Sequence, residues 1–196
     1  MIKKRFANIF LCSILLSSNC LWGQEGEHTQ EVFDLVLEQL DSTKFPMSQL
    51  KEKPISVIFF LSPECPLCEN YSLTIRTLRE QFSDDSVAFY GIFSGKYFSR
   101  ELIQTYLATY NPQVIPLLDP TYQTKTLLEA NVTPEAFVID ALGTQLYRGS
   151  IDNWIPALGK KRTVITRHYL RDVLHASLTG DEIPYTQTKA VGCFIE

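Results

Sequence analysis

Two cysteines separated by two residues, Cys65-Pro66-Leu67-Cys68, are the part of this chain best equipped for chemistry. They follow an apolar run, Ile55-Ser56-Val57-Ile58-Phe59-Phe60-Leu61, and the short link Ser62-Pro63-Glu64. Beyond them, Leu67, Tyr71, Ile75, Leu78 and Phe82 recur at steps of four and three, the stripe of an amphipathic helix. The pattern therefore predicts strand, loop and a dithiol at the mouth of a helix. A helix N-terminus carries unpaired N–H groups and a partial positive charge, and both favour thiolate over thiol. Cys65 is placed to attack a disulfide, and Cys68, one helical turn further on, to close one with it.

The elements that must position this pair are legible as a series. Glu31 to Leu40 reads as a short amphipathic helix, with Val32, Phe33, Val36 and Leu40 on one side, and Asp41 to Pro54 as a connector. Ile55 to Leu61 reads as a strand covered on both faces. Val87 to Phe93 is a second such strand, and Ser99 to Tyr110 a helix with Ser99 as its N-cap. Val114 to Leu118 is a short strand and Thr121 to Ala130 a helix. Ala136 to Asp140 and Thr144 to Arg148 form a hairpin, and Thr163 to Leu178 a closing helix. Alternating strands and helices predict an α/β fold, a central mixed sheet with helices on both faces in three α/β/α layers. Chemistry in such sheets sits beyond the carboxyl ends of the strands, and the loop after Leu61 is such a place.

Composition agrees with a globular domain. Apolar residues make up 45% of the 196 and charged residues 20%, which excludes disorder. The first residues have the order of an export signal: Lys3, Lys4 and Arg5, an apolar stretch from Phe6 to Leu16 too short for a membrane span, then small and polar residues with cleavage after Gly23. An alternative is acylation of Cys20 as a lipid anchor. Loss of residues 1–23 removes three basic and no acidic residue, leaving 15 against 22 and moving the formal net charge from −4 to −7. So acidic a chain is a poor partner for nucleic acid. The exported chain would keep three thiols, Cys65, Cys68 and Cys193, a pair and one more.

Taken together, the run Val57 to Cys68, Pro116-Leu117-Leu118-Asp119-Pro120, Val132 to Asp140 and the hairpin to Arg148-Gly149 resemble a thioredoxin-fold redoxin. That group holds thioredoxins, secreted thiol–disulfide relatives and the alkyl hydroperoxide reductase type of peroxidase. The resemblance covers about residues 45 to 178 and implies four segments: signal 1–23, N-terminal helix and connector 24–44, redoxin domain 45–178, and a tail 179–196 carrying Cys193. It implies a thiol–disulfide oxidoreductase needing no bound cofactor, with a disulfide or dithiol protein as partner. The implied place is the periplasm or envelope of a bacterium, since the tail pattern around Thr166 to Asp172 and Ala190 to Cys193 resembles secreted bacterial redoxins. It further implies that Pro134 is a cis-proline facing the dithiol, and that Thr133 offers its backbone to a partner chain.

The chain also departs from that group. Pro66-Leu67 replaces the Gly-Pro of thioredoxin, Glu64 replaces a tryptophan, and Phe59 and Phe60 stand where thioredoxin buries an acid. The peroxidase signature wants a proline and a threonine where this chain has Ile58 and Ser62. An antioxidant thiol peroxidase is thus an alternative with half its signature. A second alternative is a Cu(I) carrier holding copper through Cys65, Cys68 and His168, with His175 on the same helical face and Asp172 between them. Proximity of Cys193 or His168 to Cys65 would favour that reading. A structural disulfide and half a zinc site are the plainer readings of the two cysteines, but no second CxxC or nearby HxxxH completes four ligands. Cys193 is a candidate accessory thiol, a metal ligand, a link to another chain, or an inert buried side chain. Arg148 is a candidate to hold an acid or polarise a substrate, or an exposed strand residue. Tyr71 reads as core.

Overall fold

The computed structural model describes residues 30–82 and 86–196. The expected export signal and Cys20 lie outside the described residues. Seven strands form one sheet in the order β2-β1-β5-β4-β3-β7-β8. They are β1 (Val36–Glu38), β2 (Lys44–Pro46), β3 (Ile55–Phe60), β4 (Val87–Ser94), β5 (Ile115–Asp119), β7 (Glu135–Asp140) and β8 (Gln145–Gly149). β3, β4 and β5 run parallel, while β7 and β8 are antiparallel additions at one side and β1 and β2 at the other. The expected α/β architecture with a mixed central sheet is therefore present.

Each residue of β3 is buried, and alternate side chains serve opposite faces. Val57, Phe59 and Leu61 join Tyr71, Ile75 and Leu78 of helix α1 (Pro66–Gln81), Ile103 and Tyr106 of α2 (Arg100–Tyr110), and Val173 and Leu174 of α4 (Tyr169–Thr179). Ile58 and Phe60 join Phe33, Leu37, Met47 and Leu50 on the other face, with Leu128 just beyond the short helix α3 (Gln123–Leu127). This is why the strand reads as a nearly unbroken apolar run. Ser99 caps α2 as expected, accepting from the Leu102 N–H at 3.2 Å.

Three expectations change. The helix expected over 31–40 is a helical turn through 30–32 followed by β1, in which Leu37 is buried and Val36 is 55% exposed. Antiparallel pairing with β2 and β5 overrides the helical reading of the same apolar residues. The connector 41–54 contains β2 and a 3-10 helix, Met47–Glu52. The closing helix begins at Tyr169 rather than Thr163. The Asn153 carboxamide oxygen accepts from the backbone N–H groups of Thr166 and Arg167, at 3.0 and 3.2 Å, which holds that stretch out of a helix.

The largest addition lies in the tail. Residues 186–188 run beside β8, where Arg148 N–H donates to the Thr186 carbonyl and Thr188 N–H to the Arg148 carbonyl, both at 3.0 Å. The chain then crosses to form β9 (Cys193–Phe194), which pairs antiparallel with β6 (Val132–Thr133) in a separate two-stranded sheet.

Candidate active site around Cys65

Cys65 is the N-cap of α1, in extended conformation, with Pro66 in the first turn where a missing N–H costs nothing. The helix starts here because β3 ends at the sheet's carboxyl edge and Ser62-Pro63-Glu64 turns the chain, with Cys65 N–H donating to the Ser62 carbonyl at 3.3 Å. Cys68 follows in the first turn. Its carbonyl accepts from the Ser72 hydroxyl at 2.8 Å and from the Tyr106 hydroxyl at 3.2 Å, and those hydroxyls lie 2.9 Å apart. The first turn of α1 is thus tied to α2. Tyr71 is core, as expected: its hydroxyl donates to the buried Asp152 Oδ1 at 2.8 Å, and its ring meets Trp154 edge to face.

The Thr133–Pro134 peptide bond is cis, as the resemblance implies. The Thr133 carbonyl oxygen lies 3.2 Å from Cys65 Sγ. That approach is a hydrogen bond only when Cys65 is a thiol, because a disulfide sulfur carries no hydrogen. Here Cys65 is in a disulfide, and its partner is Cys193, 128 residues away, with a Cα–Cα separation of 6.1 Å. Cys68 is a free, buried thiol. The expected Cys65–Cys68 pairing is therefore not the one present. The physical reason is strand register: β9 sets Cys193 directly opposite Thr133, the residue whose carbonyl abuts Cys65. A lone cysteine far along the chain gives no sign of such a register, and only the short Val-Gly-Cys-Phe-Ile stretch around it hints at a strand.

Burial pushes the Cys68 thiol up to about 12. The Ser62 N–H, 3.4 Å from Cys68 Sγ, and the Thr133 hydroxyl pull the other way, while Glu69 adds to the rise. The Thr133 hydroxyl is buried and has no hydrogen-bond partner while Cys68 is a thiol, so it is free to donate to a thiolate there. Arg148 does hold an acid. Its guanidinium reaches Glu135 Oε1 at 3.4 Å and the Glu129 carbonyl at 3.1 Å, and lies over the Phe137 ring. Glu135 in turn accepts from the Asn131 N–H at 3.2 Å. The pair clamps the loop that presents Thr133 and Pro134. Glu135, adjacent to Pro134, is the supporting residue the sequence reading missed.

The copper set is not assembled. His168 stands before α4, beside a groove that Thr74, Thr77 and Arg171 also line. Among the described residues no group of three or more His, Cys, Asp or Glu is placed to hold a metal ion. Cys193 does reach Cys65, but as its disulfide partner, so neither sulfur is a thiolate ligand.

Fold and site together define a thioredoxin-like α/β protein with a cysteine at the head of α1 facing a cis-proline. The family described as AhpC/TSA matches residues 29–146, and the chain belongs to that family. Comparison with curated proteins gives no match. A hypothetical protein from Sinorhizobium meliloti 1021 has a similar structure, with TM-score 0.72 and 23% identity over 82% of this chain and 89% of that one. An uncharacterized conserved protein from Geobacillus kaustophilus gives TM-score 0.73 and 24% identity, over 83% and 87%. A secreted Mycobacterium tuberculosis disulfide oxidoreductase, homologous to E. coli DsbE, gives TM-score 0.55 and 18% identity over 76% and 98%. At these identities the likeness shows the fold.

Proposed function

We propose that this chain is an exported thiol–disulfide oxidoreductase of the periplasm or cell envelope, exchanging disulfides with a partner protein. In the reductive direction, Cys65 thiolate attacks one sulfur of the partner's disulfide and the other leaves as thiolate. Cys68 then attacks Cys65 Sγ, the mixed disulfide breaks, and the partner departs with two thiols while Cys65–Cys68 holds the oxidised pair. The reverse sequence oxidises a partner dithiol. Neither direction needs a bound cofactor. Thr133 and Pro134 form the wall against which the partner's extended backbone lies.

One observation carries this reading. Cys65 sits in disulfide linkage with a cysteine strand-paired to Thr133, while a second thiol, Cys68, lies within the same helical turn. That is the arrangement of a mixed disulfide awaiting its resolving thiol. The secreted disulfide oxidoreductase among the similar structures supports the same chemistry and the same location.

The test is adduct trapping with oxidised glutathione. With Cys12 and Cys20 replaced by serine throughout, the double variant C68S/C193S is expected to retain one glutathione per chain, and C68S alone to shed it by forming Cys65–Cys193. A stable adduct in C68S alone, or none in the double variant, overturns the assignment. Rapid consumption of hydrogen peroxide by Cys65, faster than its reaction with glutathione, would instead favour the peroxidase.

A further inference from the structure

Resting on that reading, we propose that residues 190–195 are a tethered substrate mimic. They fill the groove meant for a partner's cysteine-bearing segment, and their own sequence reports what the groove accepts. The occupant is bound as an added strand would be. β9 lies antiparallel on β6 with Cys193 opposite Thr133, and Ile195 N–H donates to the Asn131 carbonyl at 3.0 Å. Main-chain pairing of this kind gives affinity, and the alternating side chains give selectivity.

Each side chain along the segment meets a different part of the groove. Val191 packs against the core face that contains Cys65 and Cys68, and Ile195 against the opposite face. Phe194 points outward, 75% exposed. Gly192 is buried on the Thr133 backbone, and a Cβ built there would overlap the Thr133 carbonyl. A partner segment is thus read as apolar, small, cysteine, a residue at the open rim of the neighbouring cavity, apolar. Phe194 and Ile195 form one wall of a cavity of about 400 Å³ whose other walls include Phe60, Glu64, Tyr97 and Phe98, with room for more of a partner than the tail supplies.

The tether is separate from the occupant. Ser150 N–H donates to Thr188 Oγ1 at 3.0 Å, and the Ser150 hydroxyl to the Lys189 carbonyl at 2.7 Å. These bonds, with those from Arg148, hold residues 186–189 to β8 whatever the state of Cys193. Vacating the groove then needs one intramolecular exchange. Cys68 thiolate attacks Cys65 Sγ, the Cys65–Cys193 bond breaks, and Cys193 leaves as thiolate and takes the proton Cys68 lost. No outside oxidant or reductant enters, since one disulfide replaces another. The oxidised chain therefore has two isomers: Cys65–Cys193 with the groove covered, and Cys65–Cys68 with it open.

The experiment uses the full chain with Cys12 and Cys20 replaced by serine, and its Gly192→Val variant. In the oxidised proteins, disulfides are trapped in acid and mapped by mass. G192V is expected to shift the ratio of isomers toward Cys65–Cys68 by about tenfold or more, the size set by overpacking a filled site. In the reduced proteins the probe is a synthetic peptide copying residues 190–196, its cysteine joined to thionitrobenzoate, whose release is followed by absorbance. G192V protein is expected to react about tenfold faster than wild type, and about tenfold more slowly with a probe carrying valine before its cysteine. Gly192→Ala, with a smaller side chain, should move each quantity the same way by less. Equal isomer ratios and equal rates for proteins and probes overturn the mimic while leaving exchange at Cys65 intact. Release no faster than that by Cys65→Ser overturns the exchange itself, and the mimic with it.

Discussion

With the Cys65–Cys193 bond intact, Cys68 should react far more slowly than an ordinary thiol. It is fully buried, and burial moves its titration from 9.0 to about 12. At pH 8 an ordinary thiol is about one-tenth thiolate, and one titrating near 12 about 10⁻⁴, so the reactive fraction falls about 10³-fold before access is counted. The assay is carboxamidomethylation of the unreduced protein at several pH values, read by mass at the peptide containing Cys68, against glutathione. The rate constant should be at least about 10³ below that of glutathione at pH 8, and it should go on rising tenfold per pH unit above pH 9, where the ordinary thiol levels off. The sign for stability follows from linkage. The fold holds the thiol neutral while the unfolded chain ionises it from about pH 9, so this group's contribution is complete below about 9 and is lost between about 9 and 12. Thr133→Val removes a hydroxyl that favours the thiolate and should slow labelling further. Labelling within tenfold of glutathione, with the Cys65–Cys193 disulfide still present, would refute both the burial and the reasoning built on it.

Other perturbations reach the supports of the site. Arg148→Ala leaves the buried Glu135 without its ion pair and should cost about 2–3 kcal/mol, read as a lower urea midpoint. Tyr71→Phe leaves Asp152 Oδ1 with the Trp154 backbone N–H alone and should cost about 1–3 kcal/mol by the same measurement. Gly149→Ala places a Cβ on the Thr188 backbone at a φ of +139° and should cost about 2–3 kcal/mol. Its specific signature is faster amide exchange across residues 186–195.

The sequence made the central layers plain because their physics is local. β3 is buried on both faces and so carries an unbroken apolar run, and α1 keeps its stripe because one side lies on that strand. Cys65 at the head of that helix was legible for the same reason. Pro134 was placed through family resemblance rather than spacing. What was hidden depends on pairings between distant residues. β1 carries apolar residues that suit a helix equally well, and only β2 and β5 decide the matter. Cys193 finds Cys65 through a two-residue strand pairing, which leaves no periodic trace. Glu135 is an ordinary charged residue in sequence and becomes a buried anchor only when β8 brings Arg148 beside it.

Disulfide mapping across a glutathione redox titration of the full chain, with Cys12 and Cys20 replaced by serine, tests the central claim most directly, with and without one equivalent of Cu(I). The account predicts a two-electron couple, unchanged by copper, in which each oxidised chain has Cys65 in its one intramolecular disulfide, shared between Cys193 and Cys68. A disulfide that leaves Cys65 out, or copper bound tightly enough to block oxidation, would contradict it.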